Sequence, residues 1–188
     1  MTLSVEGLRY SYGSAEVLKD ISFDVERGTF LSVLGPNGVG KTTLFRCILG
    51  ILPDYTGRIT VDGEDIRTLS RRKLARKIAY IPQIHRPTFG YTVLETVLMG
   101  TAHQVGTLSQ PKKEHVERAR AAMERLGIEG LSKRNFALLS GGEQQLVLVA
   151  RAIAQSADIL VMDEPTSALD YGNQLRVLHQ VRTLADEG

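Results

Sequence analysis

The sequence predicts an α/β fold: a core of strands and helices built round a glycine-rich turn, with a small antiparallel β subdomain and an inserted α-helical subdomain. Three observations predict it. A glycine-rich turn, Val33 to Thr43, joins an apolar stretch to a helix. A four-residue apolar run, Ile159 to Met162, ends in two carboxylates. Between the two, from Arg86 to Leu139, strand-type alternation gives way to helical periodicity.

Residues Leu3 to Tyr12 and Val17 to Val25 alternate loosely, and the second run stops at Glu26-Arg27-Gly28, a turn signal. They predict the antiparallel strands of the small subdomain. Tyr12 precedes Gly13 and is expected to be exposed, as a turn aromatic or as a flat ring on which an adenine can stack. Phe30 to Leu34 then reads as a strand that runs into Gly35-Pro36-Asn37-Gly38-Val39-Gly40-Lys41-Thr42-Thr43. This fits the phosphate-loop spacing G-x-x-x-x-G-K-[ST]. Only a small, flexible backbone can turn successive N–H groups inward on a polyphosphate, and Gly35, Gly38 and Gly40 provide one. Lys41 offers a point charge to the β- and γ-phosphates, and Thr42 a hydroxyl to a bridging magnesium ion. The helix from Lys41 to about Gly50 adds its positive end.

Pro53 to Gly57 breaks the chain, and Arg58 to Gly63 reads as a half-buried strand and turn. Arg67, Arg71, Arg72, Lys73, Arg76 and Lys77 follow, interleaved with Leu69, Leu74 and Ile78, and predict a short amphipathic helix with a solvated basic face. Ile78 to Ile81 is a buried strand stopped by Pro82. Gln83 therefore stands where ligands collect, beyond a strand's carboxyl end. In the helical block, Val93 to Met99 and Lys112 to Leu126 are helices, and Thr101 to Pro111 is a polar loop. The longer helix turns Val116, Ala119, Ala122, Met123 and Leu126 to one side. Thr92 and Glu95 have capping-box spacing.

Leu139-Ser140-Gly141-Gly142-Glu143 opens the helix Gln144 to Ala154, again with capping-box spacing between Ser140 and Glu143. Two glycines inside a helix start each weaken it by about 1 kcal/mol relative to alanine. They make sense where an anion must come close to the backbone, and that anion must be a second one if Lys41 already holds the first. Ile159 to Met162 predicts a central strand buried on both faces. Asp163 and Glu164 at its end need cations or a reaction to justify them. Asp163 suits a magnesium site opposite Thr42, and Glu164 suits the activation of a water at a γ-phosphate.

The totals set limits. A content of 43% hydrophobic and 23% charged residues excludes disorder and fibrous repeats, and a net charge of +2 argues against a nucleic-acid partner. No apolar run approaches the roughly 20 residues of a membrane span, and no secretory leader is visible. Cys47, the one cysteine, lies in an apolar helix and reads as a buried structural thiol in a reducing compartment. A cytosolic chain is expected, unless something holds it at a membrane.

Gly35 to Thr43, Gln83, Leu139 to Gln144, Ile159 to Glu164 and Ser167-Ala168-Leu169-Asp170, in this order, resemble the nucleotide-binding subunit of an ATP-binding cassette (ABC) transporter. The likeness runs over the whole chain, and Leu-Ser-Gly-Gly-Glu is its discriminating segment. It implies a phosphate-loop (RecA-like) nucleotide-binding core over 1–85 and 155–188, with a helical subdomain over 86–154, and the cofactors ATP and Mg2+. It further implies that Tyr12 stacks on adenine, Gln83 contacts magnesium and senses the membrane subunit, and Ser140 to Glu143 grip ATP held by a second protomer. Asp170 couples the two sites. Partners implied are that protomer in a head-to-tail dimer, membrane permease subunits and, indirectly, a substrate-binding protein, at the inner face of the cell membrane.

Tyr80 to Gln83 with His85, Pro87, Phe89 and the stretch Tyr91 to Gly100 is similar to importers of iron-siderophore, haem and cobalamin chelates, and the segment Ala154-Gln155 through Val177-Leu178 agrees. Two departures stand out. Val39 replaces the family's usual serine, with little effect expected because the phosphate uses its backbone N–H. The family's switch histidine follows one further strand, so the chain is expected to be truncated at its C-terminus. His179, inside a helix, cannot substitute. Open alternatives are an importer ATPase for another substrate, a soluble ABC protein acting on DNA or ribosomes, and a binding-only fragment.

Overall fold

The computed structural model describes residues 2–83, 90–105, 110–165 and 169–187. His85, Pro87, Phe89, Ser167 and Ala168 lie outside them. Two compact units are present, Met1–Ile78 with Arg182–Gly188, and Ala79–Val181.

In the first unit β1 (Thr2–Tyr12) and β2 (Ala15–Glu26) form an antiparallel hairpin. β3 (Thr56–Val61) pairs antiparallel with the other edge of β1, and β4 (Glu64–Asp65) continues the sheet in the order β2-β1-β3-β4. Alternation decides which side is covered: Leu3, Val5 and Leu8 of β1 and Ile59 and Val61 of β3 are buried. Gly57 sits at φ 89°, and a Cβ there would lie 2.4 Å from the Gly7 carbonyl oxygen. Only glycine lets β3 cross β1 this closely.

α1 (Lys41–Ile48) buries Thr43, Leu44, Cys47 and Ile48. Burial pushes the Cys47 thiol up to about 11, which leaves it protonated and unreactive at neutral pH. The basic run forms α2 (Arg71–Lys77), capped by Ser70 and anchored by one buried side chain, Leu74.

One expectation fails in this unit. Phe30 to Leu34 forms no strand, and Phe30 and Leu34 are 49% and 88% exposed. A strand exists only where a neighbour takes up its N–H and C=O groups, and no described residue pairs with this stretch in a sheet.

In the second unit β5 (Ile78–Ile81) pairs with β6 (Ile159–Met162). Strand β6 is less enclosed than its apolar run predicts: only Val161 is fully buried, because β5 is its one partner among the described residues. Around them lie α3 (Val93–Leu98), α4 (Lys113–Arg125), α5 (Gly141–Gln155) and α6 (Tyr171–Glu187), whose last residues belong to the first unit. Helix α5 is apolar on nearly every side from Leu146 to Ala154 and is the centre of this core, flanked by α3, α4 and a 3-10 helix, Met99–Gln104. That 3-10 helix takes the first part of the loop expected from Thr101 to Pro111. It comes so close that a Cβ at Gly100 would lie 2.2 Å from the Arg151 carbonyl oxygen. α4 buries Ala119, Ala122 and Met123 as its period predicts, and also His115, whose Nδ1 accepts the Lys112 N–H at 2.9 Å.

Candidate nucleotide site

In the first unit the glycine-rich loop stands open from Gly35 to Val39. Gly40 ends it at φ 112° as the N-cap of α1, in the left-handed region, and a Cβ there would lie 3.0 Å from Val17 Cγ1. Gly38 also takes positive φ, 81°. The Lys41 ammonium turns back on its own loop, donating to the Gly35 oxygen at 2.7 Å and to the Pro36 oxygen at 3.1 Å. The Val39 N–H, at 3.4 Å, donates to the same Pro36 oxygen. Thr42 is half-buried and Thr43 buried at the start of α1. Tyr12 is 46% exposed and meets Tyr10 edge-on, with ring centroids 5.0 Å apart. Its free face is the kind an aromatic base stacks on.

In the second unit the Asp163 N–H donates to the Ile81 oxygen at 3.0 Å, which brings the carboxyl ends of β5 and β6 side by side, as in a parallel pair. Beyond those ends the Gln83 amide Nε2 donates to Glu164 Oε2. Glu164 takes φ 47°, a left-handed conformation that a side-chain-bearing residue holds only under restraint from its surroundings. Asp163 is 3% exposed. A carboxylate so buried is costly unless charge or hydrogen bonds compensate it.

The segment Ser140 to Glu143 is a complete capping box. Ser140 N–H and Oγ donate to Glu143 Oε2 at 2.9 and 2.8 Å, and the Glu143 N–H donates to Ser140 Oγ at 3.3 Å. These bonds hold the Glu143 carboxyl below the usual carboxylate range. Gln144 Nε2 ties the preceding turn down by donating to the Phe136 and Leu139 oxygens. Gly141 and Gly142 thus lie in the first turn of α5, and no described residue requires the second of them. A Cβ at Gly142 would make only ordinary contacts, 3.5 Å to Leu169 Cδ2 and 3.6 Å to Asn173 Nδ2. Asp170 caps α6: its Oδ1 accepts the Asn173 N–H at 3.0 Å and its Oδ2 the Asn173 amide at 2.7 Å.

Structure therefore joins Gln83 to Glu164, which lie 81 residues apart, and sets the capped helix start at Gly142 beside Leu169 and the Asn173 amide that Asp170 holds. Sequence reasoning missed two contacts, the Gln83–Glu164 bond and the Lys41 turn-back. The second had a signal in the sequence, since an ammonium five and six residues from exposed loop carbonyls can turn back on them.

A family model described as ABC transporter matches residues 18–167. The chain belongs to the ABC transporter family. It is an ATPase subunit with the ABC nucleotide-binding fold, a phosphate-loop core with antiparallel β and helical parts. Among ABC transporter proteins, the chain is 42% identical to the probable iron chelatin transport ATP-binding protein of Helicobacter pylori over 93% of this chain and 69% of that protein. It is 36% identical to the manganese transport system ATP-binding protein MntB of Bacillus subtilis, over 99% of this chain and 73% of that one. Among solved ABC transporter structures, one of metal-chelate type in an inward-facing conformation matches with a TM-score of 0.84 and 39% identity, over 98% of this chain and 68% of that chain. No described helix of this ABC transporter subunit is long and apolar enough to cross a membrane.

Proposed function

We propose that the chain is the ATP-hydrolysing subunit of an importer that couples hydrolysis to uptake of a metal chelate, an iron-siderophore complex first among them. The catalytic part rests on one observation above others: Gln83 and Glu164 meet beyond the carboxyl ends of β5 and β6, next to the buried Asp163. A carboxylate there is placed to take a proton from, or orient, a water that attacks the γ-phosphate, and the amide that holds it ties that carboxylate to the turn after β5. The substrate rests on the Tyr80 to Gly100 pattern and on likeness to a metal-chelate transporter and an iron-chelatin relative.

In this reading the loop N–H groups and Lys41 hold the β- and γ-phosphates, and Tyr12 stacks on the adenine. Thr42, Asp163 and Gln83 offer the hard oxygen donors that magnesium takes beside phosphates and water. Bound there, magnesium would neutralise charge that develops on the transferred phosphoryl group. Ser140 to Glu143 of one protomer close on the ATP of another, with the bare backbone of Gly141 and Gly142 at the start of α5 facing its phosphates. Asp170 couples the two sites through the start of α6. Permease subunits at the inner face of the membrane receive the motion, and a binding protein delivers the chelate.

Two measurements test this. Glu164→Gln in the assembled transporter is expected to keep ATP binding and to abolish turnover; near-normal hydrolysis overturns the assignment of the base. Uptake of a radiolabelled ferric siderophore in cells lacking this subunit is expected to be lost and restored only by the wild-type chain. Unchanged siderophore uptake beside lost manganese uptake replaces the substrate with a bare metal ion.

A further inference from the structure

Residues 66–78 carry six basic side chains and no acidic one, in a chain whose net charge is only +2. The structure sorts them. Arg67 pairs with Asp65 at 2.8 Å and Lys77 with Asp62 at 2.9 Å, so these two largely offset local carboxylates. Arg71, Arg72, Lys73 and Arg76 of α2 are exposed. At roughly 100° per residue they fan across about 200° of the helix, centred opposite Leu74, the one buried side chain of α2. The helix is about 10 Å long and has no second apolar side to insert into a bilayer. What it presents is a compact, Arg-rich face of one sign.

We propose that this face docks on anionic phospholipid headgroups at the membrane beside which an ABC transporter subunit works. The inference rests on the family of the chain and not on the transported substrate. Guanidinium groups bind phosphate oxygens in a bidentate manner and lose little hydration in doing so, which suits a headgroup layer. Each basic side chain near an anionic leaflet strengthens adsorption about fivefold, and a face of four adds a lateral hold that needs no spanning helix. A duplex partner would need a wider basic footprint than one short helix, in a chain otherwise without net positive charge.

The test is co-sedimentation of the intact chain with phosphatidylcholine vesicles, with and without phosphatidylglycerol. Binding is expected only with phosphatidylglycerol and should weaken steeply as salt rises. The variant Arg71→Gln, Lys73→Gln, Arg76→Gln should lower that partition about a hundredfold. Lys113→Gln, on an exposed lysine of α4, should leave it unchanged. Far-UV circular dichroism and ATP binding of the triple variant should match wild type, since all three side chains lie on the surface. Equal binding to neutral vesicles overturns the proposal, as does a triple variant that binds like wild type. Binding to a short DNA duplex as tight as to the anionic vesicles overturns the assignment to lipid.

Discussion

Gly142 separates what the fold requires from what the function requires. Glycine in a first helical turn is unfavourable, and here no neighbour among the described residues forbids a methyl group. Gly142→Ala is therefore expected to raise stability by up to about 1 kcal/mol in urea unfolding. If, as proposed, a second protomer's nucleotide rests on this helix start, the added methyl group crowds it, and ATPase activity of the assembled transporter should fall at least tenfold. A variant both more stable and fully active would remove the reason for reading this helix start as a ligand surface. Gly57 and Gly100 are the opposite kind, since an added Cβ would collide with backbone oxygens at 2.4 and 2.2 Å. Single residues such as Ser140 and Glu143 were legible in the sequence because a capping box is a local contract between positions three apart. The bond between Gln83 and Glu164 was not, because no local rule links residues so far separated in the chain.

Elements follow the same division. α3 and α5 begin where their caps predict, and β5 and β6 occupy the predicted runs. Phe30 to Leu34 has strand composition without strand structure, since composition fixes propensity while a partner fixes the ladder. His115 escaped notice because histidine is not among the usual capping residues, although its Nδ1 serves the start of α4 as one. The cap of α3 yields a pH test. Thr92 N–H and hydroxyl both donate to the Glu95 carboxylate and hold it below its usual range, the backbone bond being the larger cause. A carboxylate with a depressed folded value stabilises fully above its unfolded value, near 4.3, and loses that stabilisation as pH falls through the folded one. Thr92→Ala should thus cost about 1 kcal/mol at pH 7. The deficit should narrow in acid, where the wild-type chain has lost the same hydroxyl bond to the carboxylate. A deficit that does not change with pH would locate the effect in packing instead.

At the scale of the whole molecule, a ligand that binds only folded protein stabilises it by mass action. ATP at about a hundred times its dissociation constant should add about 2.7 kcal/mol, which for a chain of this size means a rise in melting temperature of roughly 5–10 °C. Lys41→Ala should abolish most of that rise while changing the nucleotide-free melting temperature little; an undiminished rise would place the nucleotide elsewhere. The resting position of this lysine has its own consequence. With its ammonium donating to the oxygens of Gly35 and Pro36, the loop holds an internal rival for any incoming anion. A small monovalent anion offers too little to dislodge it, whereas a polyphosphate brings enough oxygens to outbid both carbonyls at once. The loop should therefore resist chloride and its like and yield only to the charge density of a nucleotide tail.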